Sequence, residues 1–132
     1  MRRTVLALVF VALTACSTLP APRVEPMIAD RLFCGLSNPG GGSVSDEQWS
    51  AFVREVVTPR FPDGLTIWRA EGQWRGRDGT LVHEPVMIIE VLHAPGSRYD
   101  REVMAIAEEY RRRFRQEAVM RVTMPAGVEF VD

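Results

Sequence analysis

The sequence contains no lysine, and it has only two cysteines and two histidines in 132 residues. Without lysine there is no P-loop, since that motif needs a lysine next to its last glycine to contact phosphate. The histidines, His83 and His93, are ten residues apart and no H-E-x-x-H motif is present. We therefore expect no metal site and no cofactor. The sixteen arginines are balanced by seventeen acidic residues, and the formal net charge of −1 predicts no nucleic-acid partner.

The apolar segment near the N-terminus is also short. It covers Val5–Leu13, whereas a helix that spans a bilayer needs about 20 apolar residues. The segment follows two arginines and leads into Leu13-Thr14-Ala15-Cys16, an arrangement typical of a secretory signal peptide. The tetrapeptide resembles a bacterial lipobox, in which the cysteine is diacylated and becomes the first mature residue. The alternative is an ordinary secretory signal with a chance cysteine.

These features predict a lipoprotein with three parts. Residues 1–15 are expected to be the signal peptide, Cys16 the lipid attachment site, and residues 16–29 a proline-rich tether to the membrane. The folded domain is expected to cover residues 30–132. Because serine and not aspartate follows Cys16, the resemblance favours the outer membrane, with the domain facing the periplasm. Lipidation of Cys16 would leave Cys34 unpaired, and its apolar neighbours predict a buried side chain.

The segment from Thr58 to His93 predicts one long β-hairpin that turns at Asp78-Gly79. A two-residue turn pairs Gln73 with Glu84 and fixes which side chains share a face. One face then carries large apolar side chains that pack on helices, and the other is mixed and polar. A one-residue bulge at either of two glycines would reverse these faces beyond it; the candidates are Gly72 and Gly76.

Helical patterns flank the hairpin on both sides. Ser45-Asp46-Glu47-Gln48 is a capping box, followed by an apolar stripe at helical spacing that starts with Trp49. A second stripe runs from Val103 to Phe114, and short strands are predicted over residues 31–37 and 118–124. The order β-α-β-β-α-β predicts an α+β, ferredoxin-like domain: a four-stranded antiparallel sheet with two helices on one face.

Several segments resemble a bacterial domain-of-unknown-function family, number 3574. The most specific are Thr58–Thr66, with the sequence TPRFPDGLT, and Gly72–Arg75, with the sequence GQWR. Leu32–Ser37, Trp49 with Phe52, Glu84 and the strand around Val119–Val122 fit as well. The resemblance implies a short secreted or lipid-anchored protein, and it names no activity.

The candidate site is a group of polar residues expected on or near the sheet face that no helix covers. Arginines beside carboxylates suit a small acidic ligand, proton transfer, a subunit interface or a solvated surface. We favour a non-catalytic envelope lipoprotein that binds a partner, including a second copy of itself, through this open face. The alternative is an enzyme with a small-molecule pocket in a dimeric, barrel-like α+β assembly. The candidate residues are Arg60, Arg69, Glu71, Gln73, Glu84, Glu90 and Arg121.

Overall fold

The computed structural model describes residues 24–131. The predicted signal peptide, Cys16 and the first part of the tether lie outside the described residues. The described chain forms four strands and two helices in the order β-α-β-β-α-β. These elements are β1 (Glu25–Gly35), α1 (Asp46–Phe52), β2 (Thr66–Arg75), β3 (Leu81–His93), α2 (Ser97–Arg113) and β4 (Met120–Val128).

The strands form one antiparallel sheet in the order β2-β3-β1-β4. Both helices cover the same face, because their buried side chains join those of β1 and β3 in one hydrophobic core. The predicted α+β class, with a four-stranded antiparallel sheet and two helices, is therefore confirmed. In the part of the chain that the structure describes, no helix has the length and hydropathy needed to cross a membrane.

The α1 helix begins as the sequence predicts. Ser45 Oγ accepts from the backbone N–H of Gln48, and the Gln48 side chain accepts from the backbone N–H of Ser45. After Phe52 the helix continues as a π-helical turn over Val53–Val57. Trp49, Phe52 and Tyr110 of α2 form a buried aromatic group with ring centroids 5.1–6.0 Å apart. The predicted helical stripes therefore face the core.

The prediction for the first strand was wrong at its start. We predicted a strand from residue 31, but β1 begins at Glu25 and includes Pro26, so the predicted domain boundary at residue 30 falls inside it. Pro26 pairs with Gly127 of β4, while pairing with β3 starts only at Ile28. A proline is tolerated here because that end of β1 has a neighbour on one side only.

The predicted register of the hairpin was wrong by one residue. Gln73 pairs with His83, and Glu84 pairs with Gly72. The loop has three residues, since Gly76 N–H donates to Thr80 O and Gly79 adopts a positive φ of 84°. A type I turn followed by a left-handed glycine is the usual geometry of a three-residue hairpin loop. The shift moves every β2 side chain to the opposite face of the sheet.

Cys34 is fully buried in the core, as predicted. Burial raises the pKa of its thiol far above neutral, because the charged thiolate is poorly solvated there. Cys34 is therefore a packing residue and not a nucleophile at neutral pH.

Candidate functional site

The face of the sheet opposite the helices, called the open face below, is mainly apolar. It was predicted to be mixed and polar, with Arg69, Glu71 and Gln73 on it; the register shift replaces them with Trp68, Ala70 and Trp74. The register places the following apolar residues on this face: Met27, Ala29, Phe33, Trp68, Ala70, Trp74, Val82, Val86, Ile88, Leu92, Met120, Val122, Met124 and Ala126.

The seven predicted site residues do not form one cluster. Glu84 and Glu90 lie on the open face, as predicted, while Arg69, Glu71 and Gln73 point to the other side of the sheet. Arg69 Nη2 lies 3.6 Å from Asp46 Oδ1 at the start of α1. The predicted grouping of Arg69, Glu71 and Gln73 with Glu84 and Glu90 on one face was therefore wrong.

Arg60 belongs to the helical layer. Its Nη1 donates to Val56 O at 2.7 Å, and its Nε lies 3.3 Å from Glu102 Oε2 on α2. Arg60 therefore connects the turn after α1 to the second helix and is not near Glu84 in the open face.

Arg121 lies in a charged cluster beneath the start of α2. Its guanidinium donates to both carboxylate oxygens of Asp30, at 2.8 and 2.7 Å, and to Asp100 at 2.7 Å. Asp30 is fully buried and also accepts from Thr123, and His93 Nε2 lies 2.9 Å from Asp30 Oδ2. Every member of this cluster has a partner within the fold, which indicates a structural role.

The electrostatics of this cluster favour an ionised Asp30. Burial raises the pKa of its carboxyl group, but hydrogen bonds from Arg121, Thr123 and His93 outweigh burial and lower it to about 2. The hydrogen bonds that Arg121 donates to Asp30 and Asp100 raise the pKa of its guanidinium group. His93 is stacked on Tyr99 with ring centroids 5.1 Å apart, so its imidazole packs against the second helix as well as contacting Asp30.

Glu84 is the most unusual carboxylate on the open face. Only 6% of it is exposed, and its oxygens accept from Trp74 Nε1 at 2.7 Å and from the backbone N–H of Ser37 at 2.9 Å. Both donors are neutral groups, so they hold the carboxylate in place without neutralising its charge.

Gly35 provides the space that Glu84 occupies. A Cβ atom at position 35 would lie 2.6 Å from Glu84 Oε1, well inside van der Waals contact. The same end of β1 is held from the helical side, where Tyr110 donates to Gly35 O at 2.8 Å and Gln116 Nε2 donates to Ser37 O at 2.9 Å. The position of the Glu84 carboxylate is therefore set by hydrogen bonds from Ser37 and Trp74 and by the space that Gly35 leaves.

A cavity of about 280 Å³ opens beside Glu84, and we call it the Glu84 pocket. It is close to the lower end of the range for small-molecule sites, about 300–1,000 Å³. Most of its wall is apolar. It is lined by Phe33, Gly35, Gly72, Gln73, Trp74, Glu84, Val86, Gln116, Glu117, Ala118 and Met120.

A second cavity of about 210 Å³ adjoins the first and shares Trp74, Glu84, Gln116 and Glu117 with it. This cavity has more polar groups, including Asp78, Thr80 and Asn38. Asn38 Oδ1 is buried without a hydrogen-bond partner, so an acceptor is available there. An apolar pocket next to a cleft rich in acceptors suits a ligand with a flat apolar part and a hydrogen-bond donor or a positive charge.

Sequence reasoning found Glu84 but missed the residues around it, chiefly Trp74, Gly35 and Met120. A signal was present in Gly76-Arg77-Asp78-Gly79, since a three-residue loop ending in left-handed Gly79 gives the correct register. Gly76 was noted only as a bulge candidate. Within residues 24–131 the histidine, cysteine and acidic side chains form no group of three that could hold a metal ion.

Comparisons with known proteins show both the fold and the family. The solved structures that match include a phage SAM lyase in complex with S-methyl-5'-thioadenosine and a phage SAM lyase in the apo state. The complex has a TM-score of 0.61, and the match covers 79% of this chain and 90% of the lyase chain. The apo structure has a TM-score of 0.58, and the match covers 87% of this chain and 100% of the lyase chain. The sequence identity is 18% in both cases. At that identity the likeness is one of fold. No curated protein matches.

The family comparison confirms the resemblance that the sequence motifs indicated. The matching family model is described as a protein of unknown function, DUF3574, and it covers residues 29–130, which include all of α1 through β4 and most of β1. The chain therefore belongs to the DUF3574 family.

Proposed function

We propose that the protein binds a small organic cation in the Glu84 pocket, with the Glu84 carboxylate as the anionic group. The observation that carries this proposal is a buried carboxylate held by two neutral donors at the wall of an apolar cavity. Keeping such a charge away from water is unfavourable unless a positive partner compensates it. A cationic ligand would supply that partner.

The shape of the two cavities narrows the ligand class. The apolar pocket has the Trp74 and Phe33 rings and the Met120 thioether in its wall, which suit a flat heterocycle or a sulfur-bearing chain. The adjoining cleft presents oxygen acceptors from Asn38 and Asp78, which suit hydroxyl or ammonium donors. A nucleoside that carries a sulfonium group combines these features.

The fold comparison supports the same ligand class. The similar phage enzyme is named a SAM lyase and its structure contains S-methyl-5'-thioadenosine. SAM is a sulfonium nucleoside, whereas S-methyl-5'-thioadenosine is its uncharged thioether counterpart. We therefore propose SAM-like sulfonium nucleosides as the first ligands to test. The protein would then either bind the sulfonium nucleoside without changing it or act as an enzyme that catalyses a lyase reaction on it; the second alternative is called the enzymatic form.

The test compares two ligands and three proteins by titration calorimetry. Replacing Glu84 by glutamine removes the charge with little change in shape. We expect Glu84→Gln to weaken binding of SAM at least tenfold, equivalent to about 1.4 kcal/mol, and to change binding of S-methyl-5'-thioadenosine less than threefold. Glu71→Gln, an exposed carboxylate on the same hairpin but the opposite face, should leave both affinities unchanged.

Two results would contradict this proposal. Failure of the unaltered protein to bind either nucleoside at millimolar concentration would exclude the ligand class. Equal SAM affinity for the unaltered protein and Glu84→Gln would exclude Glu84 as the anionic group. Thermal unfolding of each variant shows whether the fold is retained, and chromatography of the SAM mixtures for S-methyl-5'-thioadenosine tests the enzymatic form.

We further propose that this domain is held at the bacterial cell envelope by lipid on Cys16. The support is the order of residues: two N-terminal arginines, the apolar segment Val5–Leu13 and the Leu-Thr-Ala-Cys sequence. Two acyl chains give stable anchoring where one is marginal. Ser17 in the next position favours the outer membrane.

Cys16→Ala is expected to move the protein from the membrane fraction to the soluble fraction of the cells, since the alanine cannot be acylated. The chain offers a matched control: Cys34→Ala removes a thiol that is buried in the core and should leave the protein in the membrane fraction. Immunoblots of the fractions measure both. If Cys16→Ala remains entirely with the membranes, the lipid anchor is disproved.

A further inference from the structure

We propose that the open face binds a second copy of this chain. The face has no covering element within residues 24–131, since both helices pack on the other side of the sheet. Large apolar side chains are nevertheless exposed on it, including Leu92 at 45% and Met120 at 56%. Large exposed apolar side chains on an uncovered sheet face are typical of a protein interaction site.

The size of the open face agrees with a stable interface. Four strands about 4.8 Å apart and about nine residues long give a flat area of about 600 Å². The accessible area is larger, because side chains project from the plane. A standard protein interface buries about 800 Å² on each partner, so one sheet face laid on another would provide the required area. Two sheets packed face to face lie about 10 Å apart and bury the side chains of both inner faces.

The charge of the open face favours an identical partner. At its centre Arg31 and Glu90 already form an ion pair, with Nε and Oε1 2.7 Å apart, and Arg31 also lies over the Trp68 ring. An interface related by a two-fold axis brings the same patch against itself, so any net charge would meet a like charge. The Arg31–Glu90 pair adds no net charge, and Glu84, which has no positive partner in the described part of the chain, is only 6% exposed, so little like charge would meet across the interface. Such a face gives little attraction to a strongly charged partner or to anionic lipid.

The second copy would also cover the Glu84 pocket. Phe33, Val86 and Met120 belong both to the open face and to the pocket wall, so a partner sheet on this face would lie across the pocket mouth. A bound ligand would then be shielded from water, which strengthens its interaction with Glu84. This consequence rests on the function proposed above, whereas the self-association itself does not.

The mass of the full chain in mild detergent, measured by light scattering with the detergent contribution subtracted, tests the interface without any ligand. We expect two copies per particle for the unaltered protein. Met120→Glu should weaken the association at least tenfold, because the new charge enters the interface twice. Met104→Glu is the matched control, since Met104 is 51% exposed but lies on α2, away from the open face; it should remain a dimer.

A second variant tests whether the loss of association depends on the open face as a whole or only on the surroundings of Met120. Ala70→Glu introduces the same charge on β2, at the opposite edge of the sheet from β4, and should also yield monomers. Far-UV circular dichroism verifies that each variant is folded. The proposal would be overturned if the unaltered chain has the mass of a monomer over a 100-fold range of concentration. It would also be overturned if Met120→Glu and Ala70→Glu are both folded and both remain dimers. A monomer that binds neutral lipid vesicles through this face would show that a membrane is the occupant instead.

Discussion

Replacing Asp30 by alanine is expected to lower the free energy of unfolding by about 3–5 kcal/mol, because it breaks a buried ion pair and leaves its partners without compensation. Asp30 is fully buried and accepts hydrogen bonds from Arg121 through both carboxylate oxygens. His93 and Thr123 contact the same carboxylate. Without it, Arg121 retains Asp100 alone among these contacts. Urea unfolding at neutral pH measures the loss.

The difference in free energy of unfolding between the unaltered protein and Asp30→Ala should become smaller as the pH falls. The pKa of Asp30 is lowered from its ordinary 3.8 to about 2 in the folded protein. A lowered folded-state pKa means that the ionised group stabilises the fold above about pH 4 and loses this contribution as the pH falls toward 2. The cost of Asp30→Ala should therefore shrink between pH 5 and pH 2.5.

An exposed ion pair serves as the control for Asp30. Arg54 and Glu55 lie 3.5 Å apart with 70% and 50% of their side chains exposed, and such pairs contribute less than about 1 kcal/mol. Arg54→Ala should therefore have little effect at any pH. A cost for Asp30→Ala that is below about 1 kcal/mol, or that stays constant down to pH 2.5, would contradict the proposed structural role.

Trp49→Ala is expected to lower the free energy of unfolding by about 3–5 kcal/mol, as for other large aromatic residues removed from a core. Trp49 is 7% exposed and makes ring contacts with both Phe52 and Tyr110, at 6.0 and 5.9 Å between centroids. It is therefore part of the contact between α1 and α2. Trp49 lies in the helical layer and does not line the Glu84 pocket. Its removal should therefore affect the pocket only if the protein unfolds.

Thermal and urea unfolding of Trp49→Ala provide the measurement, with Phe130→Ala as the control. Phe130 is 88% exposed beyond the last strand, so its removal should change stability by about 0.5 kcal/mol or less. If Trp49→Ala costs less than about 1 kcal/mol, the interpretation of the helical stripe as a core-facing surface is incorrect.

Local sequence patterns determined much of this fold. The capping box at Ser45 and the apolar stripes of the two helices depend on interactions within a few residues, and the structure has them where they were predicted. The family resemblance was carried by short contiguous segments, and the family comparison confirms it over residues 29–130. Glu84 was included among the candidate residues because the predicted register placed it with other polar side chains on the open face, and the structure has it on that face.

The composition of the open face was decided by one residue of hairpin register. The Asp78-Gly79 pair by itself fits a two-residue turn as well as a three-residue loop, and the pairing of Gly76 with Thr80 shows that the loop has three residues. Because side chains alternate along a strand, that single step moved Trp74 to the open face and Gln73 away from it.

The surroundings of Glu84 and Asp30 were likewise determined only by tertiary structure. Gly35 lies 49 positions before Glu84 in the sequence, and Arg121 lies 91 positions after Asp30. No local pattern relates such residues, since their approach depends on strand order and on which face each side chain takes. The sequence therefore determined the elements, their order and the family. Only the packed sheet decided that one carboxylate lines a pocket while the other stabilises the fold, because burial and partners set the behaviour of a charge.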